Sequence, residues 1–139
     1  MHVVNGAHGT GRTARIVNDL LTMAGKSGPR QVRNISAAER ETGVVGNNDL
    51  PWGQRDHALF VAYAPVDAPR YAVAVVVEHG GGGSTVAAPI ARDALLRVMT
   101  GTLPDPEDYP ADQRARITSM LEGLRLRNAD GSQPRQTKA

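Results

Sequence analysis

Three stretches of this sequence carry residue types that could do chemistry. Lys26-Ser27-Gly28 joins a cation, a hydroxyl and a residue with no side chain. On a strand edge that trio suits a peptide carboxylate. The edge pairs with an extended peptide by backbone hydrogen bonds, the ammonium supplies charge, the hydroxyl donates, and the glycine keeps the approach clear. Gly6-Ala-His-Gly-Thr-Gly11-Arg12-Thr13 fits the phosphate-loop pattern G-x-x-x-x-G-K-[ST] except that Arg12 replaces lysine. A planar guanidinium is not a simple substitute for a compact ammonium that reaches the β and γ phosphates. The apolar run 73–78 ends in Glu78, as in a strand that positions magnesium, yet only Val3 and Val4 precede the loop. A glycine-rich connection is the simpler reading. His57 and His79 lie at the ends of β-rich runs, where a histidine is more often a hydrogen-bonded structural residue than a ligand. Two histidines without a suitably spaced third ligand make no metal site.

The third stretch, His79-Gly80-Gly81-Gly82-Gly83, resembles the HGGG oxyanion loop of lipases and esterases. That class needs a G-x-S-x-G nucleophile elbow, which this sequence lacks. The glycines instead let the backbone turn between a strand and the helix after it, and the amides at that helix start favour an anion.

The elements that position these groups are uneven in their clarity. Residues 57–64 (HALFVAYA) and 70–78 (RYAVAVVVE) flank Pro65-Val-Asp-Ala-Pro69, which reads as a hairpin with prolines in its turn. Leu59, Val61 and Tyr63 share one face of the first strand, and Tyr71, Val73, Val75 and Val77 one face of the second. The alternate faces are rich in Ala and Val, so both sides of this sheet are expected to be covered. Residues 20–32 read as a strand with small residues on a working edge. Residues 12–21 could be a short helix or an extended run. Residues 34–56 form a long polar excursion, within which Ser36-Ala-Ala-Glu39 has capping-box spacing. The spacing of Val86, Ile90, Ala94, Leu95 and Val98 predicts a helix over 85–99 with these residues buried and Arg92, Asp93 and Arg97 opposite. Pro89 fits the first turn. A Pro-rich break at 103–110 precedes a second, more polar helix at 111–126 and a disordered tail at 128–139. Three strands that pair antiparallel beneath a helix give an α+β fold.

Composition bounds the function. The 139 residues make one small domain at most, or a piece of a larger one. Lys and Arg number 16 against 14 Asp and Glu, a net charge of +2, too mild to argue for nucleic acid or an anionic membrane. Aromatic residues are only 4% of the chain, so the core must be built from Val, Ala, Leu and Ile. Cysteine is absent, which removes disulfides, thiolate metal sites and thiol catalysis together. No apolar stretch approaches the roughly 20 residues of a membrane span, and the N-terminus does not look like a secretory signal.

Several segments taken in order carry a resemblance. Met23-Ala-Gly-Lys-Ser-Gly28, Pro51-Trp52, Asp56-His-Ala-Leu-Phe-Val-Ala-Tyr-Ala-Pro65, Pro69 through Gly83, and Ala88-Pro-Ile-Ala-Arg92 follow one another, with Val3-Val-Asn5 and Gly9-Thr10 before them. The series resembles the C-terminal end of the class B penicillin-binding proteins, in their elongation-type branch, penicillin-binding protein 2, over roughly residues 1–100. The resemblance divides the chain into the C-terminal part of a transpeptidase domain at 1–100, the break and extra helix at 101–127, and the tail at 128–139. It implies the α+β fold of the penicillin-binding proteins and serine β-lactamases. It also implies a D,D-transpeptidase that cross-links peptidoglycan stem peptides through a serine acyl-enzyme, and is acylated by β-lactams that mimic D-alanyl-D-alanine.

In that frame Lys26 and Ser27 bind the terminal carboxylate and Gly28 lies beside the substrate backbone. No cofactor or metal is implied. The family works at the periplasmic face of the bacterial inner membrane beside a shape-determining glycosyltransferase. Two departures stand out. No serine here opens an S-x-x-K and no S-x-N occurs, so nucleophile, general base and membrane anchor are expected before Met1, and the chain by itself is expected to be inert. The residue after K-S-G is Pro29 where the family usually has Thr. The backbone N–H at that position is, by resemblance, one of two oxyanion donors, and proline has none. The competing readings are a stand-alone, non-catalytic module that binds peptidoglycan or a cell-wall synthase, and a nucleotide-binding protein that uses Gly6 to Thr13 with Glu78.

Overall fold

A computed structural model describes residues 2–4 and 9–124 of the chain. The tail read at 128–139 and the first part of the Gly6–Thr13 loop lie outside the described residues. Four strands form one antiparallel sheet in sequence order: β1 (His2–Val3), β2 (Ala24–Arg30), β3 (His57–Ala64) and β4 (Tyr71–Val77). The expected three strands are β2, β3 and β4, in an α+β fold. The fourth, β1, is two residues long and too short to leave a periodic signal.

The hairpin follows from its residues. Alternation in β3 puts Ala58, Phe60, Ala62 and Ala64 into the core. Register sets them opposite Val77, Val75, Val73 and Tyr71 of β4. Arg70 N–H donates to the Ala64 carbonyl at 3.1 Å across the proline-containing turn, and Val66 N–H to Thr22 at 3.0 Å. In the polar excursion, helix α1 (Ala37–Thr42) starts on the capping box read from the sequence. Ser36 Oγ accepts from Glu39 N–H at 3.2 Å, and Ser36 N–H donates to the Glu39 carboxylate at 3.4 Å. Arg33 grips that carboxylate at 2.8 Å and holds its pKa below the ordinary glutamate value. Residues 12–21, left open between helix and strand, make two 3-10 turns, Arg12–Ala14 and Asp19–Leu21.

Helix α2 (Ala88–Thr100) leaves a π-helical turn at Gly83–Ala87, carries Pro89 in its first turn and ends on Gly101 at φ 72°. Its phase corrects the expectation. The buried residues are Ala88, Ala91, Arg92, Leu95 and Leu96, whereas Ile90 and Val98 are 48% and 54% exposed. Close approach of the helix to the sheet selects alanine for the contact stripe, because a methyl side chain lets the two backbones come together. Helix α3 (Ala111–Glu122) follows and sends Ile117 into the same core, to which Tyr109 also belongs.

Coverage of the sheet also differs from expectation. The α2 side is packed, but the opposite face presents Val61 and Val76 at 41% and 62% exposure. Register places Leu59 opposite Val76 and Val61 opposite Ala74. An apolar sheet face of this kind needs a cover that residues 2–4 and 9–124 do not supply.

Candidate substrate-binding edge

Strand β2 is paired with β3 along its whole length, Ala24 opposite Tyr63 through Arg30 opposite His57. On its other side it meets β1 only at Ala24 and Gly25. From Lys26 onward this edge is open among the described residues. Hydrogen-bond phase fixes what the edge offers. Val4 N–H donates to the Met23 carbonyl at 3.0 Å, so Met23 faces β1. In an antiparallel ladder the N–H and C=O of alternate residues face the same side, which turns Gly25, Ser27 and position 29 toward the open edge as well. Lys26, Gly28 and Arg30 bond toward β3. Proline at 29 therefore takes no bond from the β2–β3 ladder, and the strand runs through it in register.

Side chains alternate across the same strand. Lys26 lies opposite Val61 on the uncovered face and is exposed. Its Nζ turns back to donate to the Ser27 carbonyl, which belongs to the open edge. Ser27 lies opposite Phe60 on the α2 side, with its Oγ 3.4 Å from Thr10 Oγ1. A ligand along the edge would thus meet an ammonium from one face and a hydroxyl from the other. Around Gly28 a Cβ would meet nothing within 4 Å, so that approach is clear. Gly25 is different, because a Cβ there would overlap the Phe60 ring.

Behind the strand, the π-helical turn lies hard against the backbone. A Cβ on Gly83 would overlap the Leu59 carbonyl and stand 3.2 Å from both Gly28 N and Gly28 O. Only glycine permits this contact. The preceding turn is fixed by the two histidines. His79 N–H donates to His57 Nδ1 at 2.8 Å, and His79 Nδ1 donates to the Arg55 carbonyl at 3.0 Å. The rings meet edge-on at 4.7 Å with Trp52 tilted against His79 at 4.2 Å. The histidines are hydrogen-bonded structural residues, as their positions in the sequence suggested. The amides of Gly80 and Gly81 are bonded to the Val77 and Asp56 carbonyls, at 3.2 and 2.8 Å, so neither is held out to an anion.

Sequence reasoning missed a second polar cluster. Arg92, 0% exposed, donates from Nε to Asp93 at 2.9 Å and from Nη1 to the Thr13 carbonyl at 3.2 Å and Gln113 Oε1 at 2.8 Å. Its guanidinium sits 4.3 Å over the Tyr109 ring, a cation–π contact that helps to offset burial of the charge. Tyr109 donates to Asp93 at 3.1 Å, and burial followed by the charge of Asp93 raises its pKa. Helix spacing reads Arg92 as lying opposite the Val86, Ile90 and Val98 stripe, and the structure buries it because the helix turns its Ala88, Ala91 and Leu95 side to the core instead.

An antiparallel sheet with one open, small-residue edge and a helix across one face agrees with the fold of the family that the sequence resembles. Residues 1–96 match the penicillin-binding protein transpeptidase domain, and the chain belongs to that family. It is 38% identical over 125 residues to the peptidoglycan D,D-transpeptidase MrdA of Haemophilus influenzae, covering 88% of this chain and 18% of that protein. The MrdA of Acinetobacter baumannii is 40% identical over 85 residues, covering 59% and 12%. Among solved structures, penicillin-binding protein 2 of Helicobacter pylori, in its complex with MreC, superposes with a TM-score of 0.50 at 28% identity over 70% of this chain and 15% of that one. The chain is of the penicillin-binding protein 2 type, and spans less than a fifth of the length of these relatives.

Proposed function

We propose that this chain supplies the substrate-binding strand of a peptidoglycan D,D-transpeptidase. A stem peptide ending in D-alanyl-D-alanine lies along the open edge of β2. Lys26 attracts its carboxylate, the Ser27 hydroxyl donates to it, and Gly28 leaves room for its backbone. β-Lactams occupy the same place. The serine that forms the acyl-enzyme comes from outside these 139 residues, since none of the serines here opens an S-x-x-K. The observation that carries the reading is the conjunction on one free edge of the Lys26 ammonium, turned onto the Ser27 carbonyl, with the Ser27 hydroxyl from the opposite face. The enzyme works at the periplasmic face of the inner membrane and assembles with a shape-determining glycosyltransferase. The Helicobacter relative's complex with MreC supports a protein partner, without bearing on the glycosyltransferase.

Labelled penicillin applied to the source cells, followed by peptide mapping, tests the proposal. The expected result is peptides of this chain in a labelled, membrane-associated band well above 14.8 kDa. Their appearance only at 14.8 kDa, without label, would overturn it in favour of a separate non-catalytic binding module.

A further inference from the structure

We infer that residues 103–124 brace the substrate strand from behind, and that Gln113 is a positioning residue for carboxylate recognition; this rests on the role proposed for Ser27. The family match ends at residue 96, so the resemblance assigns no role to α3. The contacts do. Gln113 accepts from Arg92 Nη1 at 2.8 Å and donates from Nε2 to the Thr13 carbonyl at 3.4 Å. Arg92 donates to the same carbonyl at 3.2 Å. Both lone pairs of Thr13 O are therefore held, one from α2 and one from α3. Thr13 in turn donates from Oγ1 to the Ser84 carbonyl at 2.5 Å. Ser84 follows Gly83, the residue pressed against the Gly28 backbone. Thr10, in the same short segment as Thr13, carries the hydroxyl 3.4 Å from Ser27 Oγ.

Two routes thus run from α3 to the edge, one ending at the strand backbone and the other at the Ser27 side chain. The brace has its own anchors. Val17 N–H donates to the Asp108 carbonyl at 2.8 Å and Asn18 Nδ2 to the Asp108 carboxylate at 3.1 Å. Tyr109 closes over the buried Arg92 guanidinium. Arg92 Nη2 is the buried side-chain polar atom without a hydrogen-bond partner among the described residues, so Gln113 and Thr13 carry the outer end of that guanidinium between them.

The test uses the penicillin-labelled protein that contains this chain, with Gln113→Ala, Gln113→Glu and Thr13→Val. Acylation is measured with a penicillin bearing its free carboxylate and with the same scaffold masked as a neutral amide. Gln113→Ala and Thr13→Val should each slow the carboxylate ligand about fivefold, the size of one positioning hydrogen bond, and leave the masked ligand unchanged. Gln113→Glu keeps the acceptor for Arg92 but loses the Nε2 donor to the Thr13 carbonyl, and should give a rate between those of Gln113→Ala and the parent. Hydrogen exchange is read on the same samples: the Gly28 and Val86 amides should lose protection in the two disabling variants while Phe60 keeps its own. An equal loss with both ligands, or no change in exchange at Gly28 and Val86, would overturn the inference. A parent protein that takes no penicillin label would refute the proposed function instead, and exchange alone would then decide the brace.

Discussion

Replacing Pro29 by threonine should accelerate acylation of the penicillin-labelled protein, because it returns a backbone donor to the substrate edge. Hydrogen-bond phase, set by Val4 N–H on the Met23 carbonyl, turns the nitrogen of position 29 to the open side of β2. Neighbouring donors on that side belong to positions 27 and 31, each two residues away. At about 3.4 Å per residue that is about 7 Å, far outside the 2.7–3.1 Å an oxyanion donor requires. Val32 offers no replacement, since its N–H is bonded to the Asp56 carboxylate at 3.1 Å. Register from Ala24 to Arg30 is continuous, so no bulge moves another amide into place. One missing oxyanion donor costs about 10²–10³ in rate, and that is the expected gain for Pro29→Thr in the second-order rate constant for penicillin acylation. Pro29→Ala separates donor from hydroxyl. It restores the same N–H and should match Pro29→Thr within a few-fold. An unchanged rate in both variants would refute the assignment of position 29 to the oxyanion. A gain in the threonine variant alone would move the effect from the backbone to the side chain.

Three further outcomes follow from the packing. Gly83→Ala should cost about 2–3 kcal/mol and abolish penicillin labelling, since its Cβ overlaps the Leu59 carbonyl and overpacking against a backbone atom cannot relax by rotamer change. Labelling at the parental rate would show that the turn does not rest on the strand. Tyr109 should make the fold sensitive to alkali. Its folded pKa is raised above 10.0, so its contribution is complete below pH 10 and falls as pH climbs beyond it. Tyr109→Phe should flatten that alkaline limb in a stability–pH series, and an identical limb in both proteins would refute the cause. Residues 1–139 expressed alone should bind a hydrophobic dye through the Val61 and Val76 face. Paired Val61→Lys and Val76→Glu substitutions should cut the signal at least by half, and a sharp cooperative melt of the parent chain without dye binding would sink the prediction.

Legibility of the fold tracked the range of the interactions that build it. The β3–β4 hairpin was readable to within one residue at each end because period-two alternation and the two prolines are local signals. The Ser36–Glu39 capping box was readable for the same reason. Helix α2 was found but rotated, since Ile90 and Val98 outrank Ala88 and Ala91 in hydropathy while the sheet beneath selects by size. The strand carrying Lys26, Ser27 and Gly28 was visible through residue types and resemblance. Its supports were not. Thr13 to Ser84 spans 71 residues, Arg92 to Thr13 79 and Gln113 to Thr13 100, and such contacts leave no periodic or spaced pattern in one sequence. Loop-closing polar contacts of this length become visible only after the chain has folded.

The two unfinished surfaces of this structure bear on each other. The side of β2 toward α2 is occupied, by the Gly83–Ala87 turn against Gly28 and by Thr10 against Ser27. The other side, with Lys26, Leu59 and Val61, is the uncovered face. A group that attacks a ligand lying on this edge finds the uncovered face free, whereas on the α2 side Thr10 already stands at Ser27. The same element that covers Val61 and Val76 should then bring the reacting serine. A photo-crosslinking residue at position 61 of the penicillin-labelled protein tests this directly. Its adduct should contain the peptide bearing the penicilloyl group. A matched crosslinker at exposed Ile90, on the outer face of α2, should not yield that peptide. Capture from position 90 and not from 61 would place the nucleophile on the wrong side of the sheet for this edge to be the substrate site.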